Sequence, residues 1–270
     1  MAPHPSAPPP ASRAPASRGE GVWNAAAYDR VSEPHVRWGS SVVDRLELAG
    51  DERVLDAGCG TGRVTEQLLA RLPRGRVIGL DASPGMLAAA ARRLAPYGAR
   101  VALVGADLRH PLPLRAPVDA VLSTAAFHWI ADHAALFRHL AAVLRPGGQL
   151  VAQCGGAGNI ASVIEALRHA GDGWTGPWTF ATPEETRWRL EAAGFVDVET
   201  WLNAEPTPLE PGAPLELFLA TVILGAHLDR LPEEQRAGFV KAVAARLPRP
   251  ELDYVRLNIV ARRGTQDALP

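Results

Sequence analysis

The segment Arg53 to Thr65, Arg-Val-Leu-Asp-Ala-Gly-Cys-Gly-Thr-Gly-Arg-Val-Thr, constrains the fold more tightly than any other part of the chain. A short apolar strand (Val54, Leu55) ends in Asp56 and runs into three glycines at alternate positions, Gly58, Gly60 and Gly62, before a helical pattern begins. Strand, glycine turn and helix in that order make a corner where the main chain meets a nucleotide-type ligand. Glycine suits the corner because it reaches backbone angles closed to other residues and puts no Cβ in the ligand's way. The spacing argues against two phosphate-binding motifs. A dinucleotide fingerprint needs its third glycine where Arg63 stands, and a phosphate loop ends in Gly-Lys-Ser/Thr, which is absent. Read bare, the stretch is also compatible with a glycine-rich turn that binds nothing.

What the stretch resembles is the first motif of class I S-adenosylmethionine-dependent methyltransferases, acidic-x-Gly-x-Gly-x-Gly, here Asp56-Ala57-Gly58-Cys59-Gly60-Thr61-Gly62. The resemblance implies that the glycine turn passes the methionyl end of the cofactor and that Asp56 helps to order the loop and the ligand's amino group. Later segments follow in the family's order. Val64, Leu68, Leu69 and Leu72 recur at helical spacing up to Pro73. Arg76 to Asp81 then reads as a parallel strand buried on both faces, because its apolar run does not alternate. A carboxylate at such a strand end, Asp81, accepts from ribose hydroxyls; its alternative is a solvated strand end. Ser83-Pro84 opens a helix as N-cap and first residue. Met86 in its first turn would lie beside the adenine in this family, although taken alone it reads as core. After the third strand, Val101 to Gly105, the resemblance assigns Asp107 to the adenine amino group and the backbone N–H of Leu108 to a ring nitrogen. It also puts Ser123, at the end of the fourth strand (Val118 to Ser123), at the cofactor.

The fourth strand runs into Thr124-Ala-Ala-Phe-His-Trp-Ile130, where an open α/β sheet places its substrate chemistry. The Asn/Asp-Pro-Pro-aromatic motif of base-modifying methyltransferases is missing, which argues against nucleic-acid bases. Phe127-His128-Trp129 instead resembles the subgroup that includes trans-aconitate methyltransferase, which esterifies small carboxylic acids. His128 and Trp129 are therefore expected to position the acceptor, with Tyr28 closing the pocket. His128 could equally cap a helix, and Trp129 could be core. A carboxylate is ionised near pH 7 and needs no base, whereas a phenol or alcohol would need a proton acceptor, a role open to His128.

The 270 residues, with a net charge of −1, are enough for one sizeable domain. No apolar run approaches the roughly 20 residues of a membrane span, and the lack of a Lys/Arg cluster speaks against an extended nucleic-acid surface. The expectation is a soluble, cytoplasmic enzyme acting on a small molecule, with no membrane or nucleic-acid partner and no metal. Two unpaired cysteines, Cys59 and Cys154, read as small buried residues. Residues 1–20 look like a disordered Pro/Ala/Ser tail rather than a signal peptide.

The expected architecture is a doubly wound α/β fold: a mostly parallel seven-stranded sheet with helices on both faces, whose antiparallel strand the resemblance places at the edge. Residues 21–264 would be the methyltransferase domain, with a helical lid at 21–50, a cofactor-binding core at 53–155 and substrate-side insertions at 156–250. A helix is expected to continue from Gly39 through Leu48, and others over Leu215 to Leu228 and Glu233 to Leu247. Asn159 is expected to cap the helix starting at Ala161 or to bind an acceptor's carboxylate or hydroxyl. Arg30, Arg37, Arg168, Arg187 and Arg189 are the cations available to a polyacid, while the aromatic loop Trp174 to Phe180 points to a larger apolar acceptor. Two readings from other classes stay open: a non-catalytic S-adenosylmethionine-binding module, and a nicotinamide-dependent oxidoreductase.

Overall fold

The computed structural model describes residues 33–265, with side chains described from Trp38 onward. The expected tail, Tyr28 and much of the expected lid lie outside the described residues.

In chain order the elements are helix α1 (Glu33–Val43), strand β1 (Arg53–Ala57), α2 (Arg63–Arg71), β2 (Arg76–Asp81), α3 (Pro84–Leu94), β3 (Val101–Gly105), β4 (Val118–Thr124), α4 (His133–Val143) and β5 (Leu144–Gly155). There follow α5 (Ala161–Arg168), α6 (Pro183–Ala192), β6 (Phe195–Ala204), the short β7 (Thr207–Pro208), α7 (Ala213–Phe218), α8 (Gly225–Leu228), α9 (Glu233–Ala244), β8 (Glu251–Leu252) and β9 (Val255–Arg263). Seven strands form one sheet in the order β3-β2-β1-β4-β5-β9-β6. β1 to β5 run parallel. The antiparallel strand, β9, sits one position in from the edge, bonded to β5 and to β6. Its apolar run is buried on both faces, as an inner strand requires.

Burial on both faces explains the lack of alternation. Consecutive residues of one strand enter opposite cores: Val54, Val77, Ala120 and Val151 pack with α1, α2 and α3, whereas Leu55, Ile78, Val121 and Leu150 pack with α4 and α6. A third cluster stands apart, built from Trp38, α5, α7, α9 and Tyr254. α1 joins the layers, with Trp38 in the third cluster and Val42 and Val43 under the sheet.

Three expected helices are shorter than their patterns, α9 by ending at Ala244 rather than Leu247. α1 stops at Val43, because the side chain of Gln149 bonds both the N–H (3.0 Å) and the C=O (2.9 Å) of Glu47 and draws the chain onto β5. Leu215 to Leu228 divides into α7, a π-turn over Leu219–Ile223, and α8. The wide turn, a common device at functional sites, carries Val222 and Ile223 into the cleft described below. The Ser83 cap on α3 and the Thr182–Glu185 capping box on α6 are both present.

Candidate active site

The glycine turn is bolted to the end of β2. Gly58 N–H and Cys59 N–H both donate to Leu80 C=O, at 2.8 and 3.0 Å. Gly60 N–H donates to one oxygen of Asp81 (2.9 Å), while Ser83 N–H donates to the other (2.8 Å). Gly58, Gly60 and Gly62 all have positive φ, at 84°, 54° and 81°. A Cβ on Gly58 would stand 2.5 Å from the Cβ of Ala126, and one on Gly62 would stand 2.9 Å from Leu94. A Cβ on Gly60 would meet no atom within 4 Å, so the turn is tight beneath and open above.

Asp56 is fully buried below this turn. Thr65 Oγ1 donates to one of its oxygens at 2.6 Å, and the other has no hydrogen-bond partner in the structure. Burial pushes its carboxyl up to about 7, against the Thr65 bond, with the nearby Asp81 charge adding to the rise. Burial also raises Asp81, which its backbone donors only partly oppose. A buried carboxyl oxygen lacking a donor, beside an open glycine cradle and a strand-end acid, suits a ligand bearing an ammonium group and ribose hydroxyls. The donor set therefore fits S-adenosylmethionine.

Further along the sheet edge the expected residues diverge. Met86 is buried in the first turn of α3, and Leu108 is buried against the α4 side. Asp107 turns both oxygens to Arg109, whose backbone N–H and guanidinium donate to them. Burial raises the Asp107 carboxyl, but the Arg109 bonds outweigh it and hold the group below the usual carboxylate range. Ser123 Oγ donates to Ala57 C=O at 2.6 Å, strapping β4 to β1 just before the glycine turn.

A cleft opens beside the turn, starting at Ala125, the neighbour of the Ala126 that abuts Gly58. His128 and Trp129, from the 3₁₀ turn after β4, both line it, with their rings 5.3 Å apart. Two of the three non-glycine residues with positive φ among those described, Ala125 (55°) and Ile160 (49°), are also in its lining. Strain of this kind in a β-branched residue is costly and concentrates at functional sites. The aromatic loop is attached here as well. Thr179 N–H donates to His128 C=O (2.9 Å), and the rings of Trp178 and Phe180 stack 6.0 Å apart beside Trp129 and His128. Gly155 makes the approach of Phe180 possible, since a Cβ there would stand 2.7 Å from that ring. Gly155 N–H also donates to His128 Nδ1 at 3.3 Å. With its Nδ1 lone pair engaged, the neutral ring carries its proton on Nε2.

The Nδ1 contact sets the ring apart from a simple helix cap: Asp132 caps α4 instead. Asn159 does not cap α5. Its Oδ1 accepts from Val255 N–H (3.0 Å), and Asp253 receives both the N–H and the hydroxyl of Ser162. The expected cations are elsewhere: Arg168 pairs with Glu165, Arg187 with Glu191 and Arg189 with Glu185, each within its own helix. Arg30 and the side chain of Arg37 lie outside the described residues. Among the described residues, the cation in the cleft lining is one the sequence did not single out, Arg256 on β9, 2% exposed. A charged residue ahead of the apolar stretch 259–261 of an inner strand was the available signal. Cys59 and Cys154 are buried free thiols, the latter pushed up to about 12 by burial.

Residues 54–148 match a family model described as a methyltransferase domain. The chain is 32% identical over 265 residues to a trans-aconitate 2-methyltransferase of Methylobacterium radiotolerans, covering 90% of this chain and 99% of that one. A second, from Paracidovorax citrulli, is 31% identical over 90% and 98% of the two chains. The chain belongs to the class I S-adenosylmethionine-dependent methyltransferases. Within them it falls in the trans-aconitate methyltransferase subgroup, and its cofactor is S-adenosylmethionine. The fold agrees: the YcgJ protein of Bacillus subtilis matches with a TM-score of 0.59 at 18% identity, covering 85% of this methyltransferase and 99% of that chain. Haemonchus contortus phosphoethanolamine N-methyltransferase 2, in complex with S-adenosylhomocysteine, matches with 0.61 at 19%, covering 93% and 58%. Among the described residues no helix is long and apolar enough to cross a membrane, and no cluster of three or more His, Cys, Asp or Glu could hold a metal.

Proposed function

We propose that this methyltransferase transfers its methyl group to a carboxylate oxygen of a small organic acid, yielding a neutral ester. One observation carries the reading: His128 Nδ1 accepts from Gly155 N–H, so the ring meets an acceptor as an N–H donor rather than as a base. A carboxylate needs no proton acceptor, and a donor beside it orients it. A phenol would need the ring in the opposite tautomer. The relatives named as trans-aconitate 2-methyltransferases support the same substrate class.

When bound, S-adenosylmethionine supplies a methyl on a sulfonium; as the new C–O bond forms, the C–S bond breaks and its electron pair leaves with sulfur as a neutral thioether. For that cofactor Asp56 receives the amino group, Gly58, Gly60 and Gly62 admit the methionyl end, and Asp81 accepts from the ribose. Met86, Asp107 and the Leu108 backbone border the adenine, with Asp107 shared between that ring and Arg109. Ser123 supports the turn through Ala57. On the acceptor side, His128 and Trp129 fix the carboxylate's line of approach, and the aromatic walls exclude water. Orientation of this kind supplies up to about 7–11 kcal/mol in the best-aligned cases.

The test is transfer of labelled methyl from S-adenosylmethionine to a panel of di- and tricarboxylic acids, monocarboxylic acids and phenols. A base-labile labelled product from an acid is expected. Label found on phenols alone would sink the reading.

A further inference from the structure

The reading as a carboxyl methyltransferase, on which this inference rests, leaves open what grips the acid in the cleft. We infer that Asn159 is an acceptor-binding residue: its side-chain amide donates to a carboxylate oxygen of the acceptor and so selects for an acid.

Asn159 follows the glycine run after β5, lines the cleft and is 3% exposed. Val255 N–H donates to its Oδ1 at 3.0 Å. Only the amide oxygen can accept, so that bond fixes which way the group faces and leaves the two N–H donors of Nδ2 on the other side. Among the described residues Nδ2 has no hydrogen-bond partner, yet it is not sealed in the core. It stands over the end of β5, where a Cβ on Gly155 would lie 2.9 Å from it and 2.7 Å from the ring of Phe180, another residue of the lining. Gly155 N–H donates to His128 at the same strand end. The amide therefore shares the cleft with the ring that meets the acceptor. Leaving a buried donor unmade is costly, and a cleft that keeps one offers it to a ligand.

The loop is braced so that the amide cannot swing away. Asn159 N–H donates to Gly156 C=O at 2.9 Å. Gly156 N–H donates to Val255 C=O, Ala157 N–H to Ala181 C=O and Ile160 N–H to Asp253 C=O, each at 3.0 Å. Ile160, next in the chain, keeps a left-handed backbone at φ 49° and ψ 38°, which a β-branched residue holds only where its surroundings over-determine it. A donor fixed before the ligand arrives spares the ordering cost of binding. What the amide has left sets the chemistry of its ligand. Its oxygen is spent on Val255, so it meets the ligand as a donor alone, and a carboxylate near pH 7 is an acceptor alone. Among the described residues lining the cleft none is Asp or Glu, so no like charge stands against that carboxylate. A neutral donor of this kind also suits an acid with several carboxylates, one of which it holds without a cation.

The experiment uses the full chain at pH 8, saturated with S-adenosylhomocysteine and titrated calorimetrically with trans-aconitate. Initial rates with S-adenosylmethionine and thermal melts are measured alongside. Asn159→Leu is of similar size but neither accepts from Val255 nor donates. Asn159→Asp keeps the Val255 bond, loses the donors and turns a negative charge on the acid. A residue that only braced the loop would make Asn159→Leu the more damaged variant in both stability and acid binding. A carboxylate donor reverses the second order. Asn159→Leu should weaken trans-aconitate roughly 10- to 100-fold, as a hydrogen bond to a charged group is lost. Asn159→Asp should weaken it further, because like charges then face each other, although it melts higher than Asn159→Leu. KM should rise more than kcat falls, and S-adenosylhomocysteine affinity should hold in both variants, marking them as folded. The inference is overturned if Asn159→Asp binds trans-aconitate as wild type does, if Asn159→Leu is the weaker binder of the two, or if wild type does not bind this acid. Failure of the carboxyl-transfer reading would look different: trans-aconitate bound through Asn159, yet no base-labile ester formed while a phenol is methylated.

Discussion

The cofactor corner and the acceptor cleft share a wall, Gly58 against Ala126, but are assembled in opposite ways. The corner draws its contacts from chain neighbours: one glycine turn, the strand before it, the helix after it and the end of the next strand. Its working groups are backbone N–H donors and carboxylates whose placement follows from backbone angles. The cleft draws on the 3₁₀ turn after β4, the loop after β5, the aromatic loop 174–180, the π-turn and the start of β9. Side chains far apart in sequence do its work.

Substitution at two glycines tests the corner most severely. Gly58→Val drives a branched side chain into Ala126 at φ 84°. S-adenosylmethionine affinity should fall by roughly 100-fold or more, because the left-handed backbone alone costs about 1–2 kcal/mol before the clash is counted. Gly60→Ala meets no protein atom within 4 Å. It should shift Tm by only about 2–4 °C, corresponding to roughly 1 kcal/mol, and still weaken the cofactor about tenfold by entering its space. Calorimetry and thermal melts separate the two. Equal losses of stability in both variants would mean that the turn is merely structural.

The next effect is pH-dependent. Asp56 is raised to about 7, so below that pH its carboxyl is neutral and attracts an ammonium group poorly. Cofactor affinity should fall as pH drops from 8 to 6, approaching tenfold per unit below 7, and Asp56→Asn should flatten the profile. Stability runs the other way. The folded state binds this proton more tightly than the unfolded chain, so the contribution is complete below the ordinary value of 3.8 and is lost as pH rises through 7. Cofactor-free Asp56→Asn should therefore gain Tm over wild type between pH 6 and 8. An affinity independent of pH would remove Asp56 from the amino-group site.

On the cleft side, His128→Gln retains an N–H donor and should raise the acceptor's KM about tenfold or less, the worth of roughly one hydrogen bond. The pH profile of kcat/KM should keep its shape. A newly lost ionisation in that profile would show that the ring is a base and would break the contrast between positioning and proton transfer. The smallest effect concerns the anchorage of the aromatic loop. His227 is buried, with its Nε2 3.1 Å from Trp174 C=O, and burial lowers its pKa below 6.5. The unfolded chain then binds the proton more readily, so this stability is present above 6.5 and lost as pH falls through it. His227→Phe should reduce the acid-side decline in Tm by a degree or two, leaving cofactor affinity unchanged. His133, lowered for the same reason, adds to the residual slope.

Legibility in the sequence follows the same division. Asp56, the glycines and Asp81 were readable because a strand end, a turn and a helix start leave a contiguous signature, and burial on both faces writes each parallel strand as an unbroken apolar run. His128 and Trp129 were readable from their place after β4. Arg256 was not: it is one of three arginines in β9, and its place in the cleft depends on β9 entering the sheet beside β5. The exposed arginines of α5 and α6 were equally visible in the sequence, yet each pairs with a glutamate of its own helix. Nor did the pattern of Leu215 to Leu228 reveal its π-turn, since apolar periodicity reports which face is buried and not how wide each turn is.

The sequence by itself determined the doubly wound sheet and the cofactor, because backbone angles and burial on both faces are local constraints written in neighbouring residues. Tertiary structure alone decided that the antiparallel strand lies one in from the edge, that Gly155 N–H reaches His128 Nδ1, and that Arg256 of β9 lines the cleft. Each of these depends on hydrogen bonds and packing between segments distant in the chain, and no local pattern encodes such contacts.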